Sequence, residues 1–221
     1  MNNPDKKTIA VESPEPSLDT EGLLLQRLKN STSDEDYFRW LLFIVGFYRG
    51  VQKIDAAVDM LNRFVETSQN HEHIAHCHLA LGQIATDEQR IESAMHHFNE
   101  ALNLQPQKRK VKYVLYNNIG YCMNKLGRFV DGEKHCRLAI ETDWNRASGY
   151  RNLGVSLQGQ GNVLGAAWAL VEATKADIND SRARTILDQL IAANPSIALK
   201  CPWLNCATSL DSKTGPELPM M

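Results

Sequence analysis

Apolar positions along the chain recur at helical spacing, and that spacing is overlaid by a longer period. Trp40, Phe43, Ile44 and Phe47 lie three or four residues apart, and Ala56, Ala57, Met60, Leu61 and Phe64 resume the spacing after Gly50. This predicts a helical hairpin over residues 35–68 with its turn at Gly50. From residue 75 a frame of 34 residues takes over. Gly82, Gly120 and Gly154 each follow an aliphatic residue (Leu81, Ile119, Leu153). A small residue stands twelve positions after each (Ala94, Gly132, Ala166), and an alanine nineteen after (Ala101, Ala139, Ala173). The units are 75–108, 113–146 and 147–180, with Arg109 to Lys112 inserted between the first two. A fixed period of this length signals stacked supersecondary units, each covering its neighbour's apolar face.

Each unit reads as a helix, a short turn and a second helix. The turns fall at Asp87-Glu88-Gln89, Leu126-Gly127-Arg128 and Gln160-Gly161-Asn162, where Gly127 and Gly161 suit a left-handed residue past a helix end. The frame glycine and the small residue at the twentieth position let the two helices approach. Phe98, Cys136 and Leu170, with Ile91, Phe129 and Val163, fill the remaining volume. The expected fold is all-α, an antiparallel helical-hairpin solenoid with a C-terminal capping helix.

The flanks follow from the same reading. Residues 1–17 are polar with three prolines and are expected to be disordered. Residues 18–70 hold a first helix, capped by Asp19 or Thr20 and carrying Leu24, Leu25 and Leu28 on one side, and then the hairpin as a diverged terminal unit. Residues 181–194 form the capping helix, with Ile186, Leu187, Leu190 and Ile191 inward and Arg182 and Arg184 outward; 195–221 is a tail.

The residues of the frame resemble the tetratricopeptide repeat family. Its aromatic-two-residue-aliphatic-glycine pattern stands as Tyr116-Asn-Asn-Ile119-Gly120 and Tyr150-Arg-Asn-Leu153-Gly154. His78 takes the aromatic place in the first unit, and the closing proline survives only as Pro106. The resemblance implies a concave groove lined by the first helix of each unit, serving protein or peptide partners without enzymatic activity. Asn118 and Asn152 share the sixth position, and an amide matches the donor and acceptor of a peptide backbone. Tyr121, Lys125, Arg151, Asn117 and Gln83 join them as expected groove contacts. The family's clamp for acidic chaperone tails finds only Asn118 in place, with Leu79, Gln83, Ser148 and Asn152 at its other positions. Without its cations the charge-assisted bonds to such a tail are lost. Three-repeat secretion chaperones suggest an alternative, a homodimer formed through the apolar N-terminal segments.

Composition narrows the function further. Hydrophobic residues make up 43% of the 221, and net charge is −2, which suits a globular body and argues against nucleic acid as main partner. The apolar run Trp40 to Tyr48 is far shorter than the roughly 20 residues of a membrane span. The first twenty residues lack the apolar core of a secretory signal. With five cysteines, an odd number, that points to reduced thiols and a cytoplasmic setting.

Cys122 and Cys136 fit core positions; Cys201 and Cys206 lack a common zinc spacing. In the tract His71, His73, His76, Cys77, His78, the residues His73, His76 and Cys77 share a helical face that could hold a soft metal. Helix phase instead sends His78 to the hairpin core and His76 to the groove, with His71 and His73 before the helix, so no metal or other cofactor is expected. His96 and His97 show no convergence with them. Lys108-Arg109-Lys110-Val111-Lys112 reads as a basic, solvated loop. No phosphate loop, nucleophile elbow or acid–base pair marks an enzyme.

Overall fold

The computed structural model describes residues 18–197, all of whose regular structure is helical. Residues 1–17 and most of the expected tail, with Cys201 and Cys206, lie outside the described residues. The chain divides into two compact units, to Glu66 and from Thr67.

The first unit holds α1 (Leu18–Lys29), α2 (Asp34–Gly50) and α3 (Ile54–Thr67). Because α1 begins at Leu18, the cap positions expected at Asp19 and Thr20 lie inside its first turn. Leu28 is buried, but Leu25 is 41% exposed, so the expected apolar side of α1 is covered only in part. Ser33 caps α2 by accepting from the Asp36 N–H at 3.1 Å, and three carboxylates in its first turn suit the positive end of the helix dipole. Phe38, Leu41, Ile44, Val45 and Tyr48 bury one face of α2. Glu21 of α1 accepts from the Tyr48 hydroxyl at 3.0 Å and from Lys53 at 2.5 Å, and these bonds hold its carboxyl below the usual range.

The second unit holds α4 (His71–Asp87), α5 (Ile91–Asn103), α6 (Arg109–Lys125), α7 (Phe129–Thr142), α8 (Ala147–Gly159), α9 (Val163–Ala176) and α10 (Ser181–Ala193). Each helix packs on its successor, and the first helices of the hairpins stack as well, α4 on α6 and α6 on α8. The expected hairpins are therefore present, α10 covers α9, and α4, α6 and α8 stand side by side.

The frame glycines owe their place to close approach. A Cβ on Gly82 would sit 2.4 Å from the Phe98 ring, one on Gly120 2.6 Å from Cys136 Sγ, and one on Gly154 2.7 Å from Leu170 Cγ. The closest neighbour in every case is thus the residue at the twenty-fourth position; the twentieth follows at 3.3–3.4 Å behind Gly120 and Gly154. Ala101, Ala139 and Ala173 are all fully buried.

One turn geometry closes every hairpin. A left-handed residue stands at Gln52, Gln89, Gly127 and Gly161, with φ of 60°, 60°, 71° and 76°. The N–H after it bonds five residues back: Lys53 to Tyr48, Arg90 to Ala85, Arg128 to Met123, and Asn162 to Leu157, at 2.8–2.9 Å. This is a Schellman cap, and α2–α3 shares it with the three framed hairpins. Gly50 is only the last helical residue of α2; the turn expected there is made by Gln52.

Other boundaries move for physical reasons. Asn70 accepts from the N–H groups of Glu72 and His73, so α4 starts at His71 and includes His71 and His73. Arg109 to Lys112 form the first turn of α6, not a loop. Cations are unfavourable at that end of a helix, and Lys108 offers no side-chain cap. The carboxylate of Glu72 substitutes, accepting from the N–H groups of Gln107 at 2.8 Å and Lys108 at 3.1 Å. The expected tail from 195 is also shortened, because Ile197 is buried among Leu170, Leu187 and Leu190.

Candidate functional site

The stacked first helices and the cap enclose a groove of about 500 Å³. α6 contributes Asn117, Asn118, Tyr121, Asn124 and Lys125, and α8 contributes Arg151, Asn152 and Val155. Thr86 and Asp87 end the α4 wall, while Arg182 and Ile186 of α10 close the other side. Six of the seven expected contacts therefore line one cavity. Gln83 is half-buried and does not line it.

The asparagines divide their work. Asn152 is 8% exposed, and its amide donates to Asn117 Oδ1 at 3.0 Å. Asn124 donates to the Asn152 carbonyl at 2.9 Å and accepts from the Ser156 hydroxyl at 2.7 Å. Asn118 is half-exposed, and its carbonyl oxygen accepts only a long 3.4 Å bond from Asn117. A satisfied amide network thus stiffens the floor, and Asn118 stands above it with hydrogen-bonding capacity toward the cavity.

Charge in the groove is sorted in a similar way. Arg151 is ion-paired with Asp180, which also accepts from the Ala183 N–H at the start of α10. That pair is largely buried, with side-chain exposures of 19% and 7%, so Arg151 fastens the cap as well as facing the cavity. Lys125 is exposed and lies 5.6 Å from the centre of the Tyr121 ring. Arg182 is exposed, as its outward place on α10 implies, and stands at the rim of the groove. It and Ile186 stand at the second and sixth positions if the 34-residue frame is extended once more to Ser181. That extension was the signal that could have placed α10 on the groove.

The histidines and cysteines outside the groove follow the sequence reading in part. His73 and Cys77 are buried, His76 is half-buried and His71 is exposed, so the tract is split across α4. Among the described residues no group of three or more His, Cys, Asp and Glu side chains is arranged to hold a metal. Burial pushes the thiols of Cys77 and Cys136 up to about 12 and that of Cys122 to about 11, which makes them poor nucleophiles. His97, expected to stand apart, meets His78 with Nδ1 atoms 3.3 Å apart.

No protein-family model and no curated protein matches the chain. Solved structures share its fold. The Arabidopsis OM64 TPR domain is 17% identical and covers 55% of this chain and 97% of its own, with a TM-score of 0.50. MamA (41-end) from Desulfovibrio magneticus RS-1 is 13% identical over 82% of this chain and 97% of its own, with a TM-score of 0.61. The Hsp90 co-chaperone Cns1 from Saccharomyces cerevisiae is 14% identical over 64% of this chain and 46% of its own, with a TM-score of 0.55. The chain has the tetratricopeptide-repeat fold, an all-α solenoid of helical hairpins. None of its described helices is long and apolar enough to cross a membrane.

Proposed function

We propose that this protein is a non-enzymatic adaptor or chaperone-like module that holds an extended peptide or partner helix in the groove between α4, α6, α8 and α10. The observation that carries this reading is the arrangement of Asn118, Tyr121 and Lys125 in one cavity over a floor of mutually bonded amides. Asn118 addresses the partner's backbone, Tyr121 gives apolar area, and Lys125 with Arg182 favours acidic side chains. Asn152 and Arg151 act from behind, the first by orienting Asn117 and the second by fixing the cap. Buried free thiols at Cys77, Cys122 and Cys136 accord with a reducing, cytoplasmic setting.

The test is a cross-linking pull-down with the full chain, repeated with Asn118→Ala combined with Lys125→Ala. Both residues lie outside the core, so helicity should stay as it is while capture of the partner falls about tenfold or more, a loss of roughly 1.4 kcal/mol. Undiminished capture of the same partner would sink the reading.

Self-association is the second reading, favoured by Leu23, Tyr37 and Phe43 of the first unit, which are 53%, 40% and 58% exposed. Light scattering of the full chain and of a Phe43→Glu variant separates the two. A dimer that becomes a monomer supports self-association, and a monomer in both cases rejects it.

A further inference from the structure

Six of the seven histidines stand on α4 and α5, and the frame does not require any of them. At the fourth position the other two units carry Tyr116 and Tyr150 where the first has His78. At the twenty-third they carry His135 and Ala169 where the first has His97. Only the first hairpin therefore places imidazole against imidazole.

The contact has a particular shape. The Nδ1 atoms are 3.3 Å apart and the ring centroids 5.6 Å. The centroid separation matches the nitrogen distance plus one ring radius at each end, so the two nitrogens face each other head-on. Such a line has room for one hydrogen, an N–H on one ring aimed at the lone pair of the other. A metal chelated by both rings would need their lone pairs to converge beside that line.

We infer that the His78–His97 pair makes the α4–α5 hairpin an acid-responsive element, closed while one proton sits between the rings and opened when a second must enter. A first added proton can go to an outward Nε2 and leaves the bond in place. The next one sets two N–H groups against each other, so the pair titrates in two steps and only the second separates the helices.

The surroundings set the direction. Burial is the main cause holding both imidazoles below the ordinary histidine value of 6.5. On α5, Glu100 favours protonation of both rings and His96 opposes it at both; Arg90, just before α5, opposes it at His97. The cations at the start of α6, the next helix packed on α5, act on His76 instead, where Lys108 and Lys110 add to the effect of burial. A group whose folded value is depressed contributes its full stability above the unfolded value. The hairpin is therefore most stable above about 6.5 and loses stability as pH falls through the depressed values. Thr86 and Asp87 end α4 and line the groove, so the opening reaches one of its walls.

Hydrogen exchange of the full chain, read by mass spectrometry at about pH 7 and about pH 5 and corrected for intrinsic rates, tests this. Amides of α4 and α5 should gain about tenfold in exchange relative to those of α8 and α9. His78→Tyr and, separately, His97→Ala borrow the residues of the other units and should each abolish the gain; His96→Gln should keep it. Equal acceleration in all three hairpins, no acceleration in any, or a gain that survives both borrowed residues would overturn the inference. Where a variant does not fold, absence of the gain in the wild type still overturns the inference.

Discussion

The first and third hairpins of the array answer one frame with different materials. In α4–α5 the frame glycine faces the large Phe98 ring, the left-handed turn residue is Gln89, and the surface carries imidazoles. In α8–α9 the glycine faces Leu170, the turn residue is Gly161, and the second helix buries Ala166, Ala167, Ala169 and Ala173. Backbone path and cap bonds are nevertheless the same in both. The frame thus fixes how two helices approach and turn, and it leaves open what chemistry they carry. Whatever is particular to this protein lies at positions the frame does not constrain.

The largest effect that would separate the two hairpins comes from truncating their central side chains. Phe98→Ala removes a fully buried ring and should cost about 3–5 kcal/mol, against about 2–5 for Leu170→Ala, with the larger loss at Phe98. Denaturant unfolding of both variants checks the order. A smaller loss for Phe98 would mean that the first hairpin collapses around the cavity.

Next come the glycines. Gly82→Ala and Gly154→Ala should each cost about 1–3 kcal/mol, because the new methyl meets a packed side chain at 2.4 or 2.7 Å. Combining Gly82→Ala with Phe98→Leu should recover part of that loss, since a smaller neighbour makes room. A purely additive double mutant would show that the glycine is needed for some other reason.

The smallest effect lies in the turns. Gln89→Gly should raise stability by a few tenths to about 1 kcal/mol, and Gly161→Gln should lower it by a similar amount, because a side chain disfavours the left-handed conformation. Thermal melts of the two exchanges should move in opposite directions. Movement in the same direction would show that the two turns are not equivalent.

Local pattern carried the fold a long way. The frame glycines, the buried alanines and the turn at Gly127 and Gly161 were all legible, because each depends on residues within one hairpin. What escaped the sequence depends on partners further away. Arg109 to Lys112 look like a loop because their charges suit a helix start poorly, and the acceptor that anchors the residues just before them, Glu72, lies 35 residues before Gln107. His78 and His97 meet only because a turn folds the chain between them. Left-handed Gln52 and Gln89 lack the glycine that advertises such a turn. Among the groove residues, Asn118, Tyr121 and Lys125 were expected from the family resemblance. That Asn152 spends its amide on Asn117, and that the cap supplies Arg182 and Ile186, needed three dimensions.

Side-chain bonds are unevenly shared along the array. Between the second and third hairpins, Tyr113 bonds the Ser148 hydroxyl at 2.7 Å and the Gly149 N–H at 3.1 Å, with the Arg146 guanidinium 4.6 Å over its ring. Asn117, Asn124, Asn152 and Ser156 are laced together across the same joint. Between the first and second hairpins, Glu72 holds two N–H groups at the edge. In mechanical terms the framed array is a stack whose second joint is cross-laced by polar bonds as well as packed. Under tension along that stack the last two hairpins would travel together with their cap.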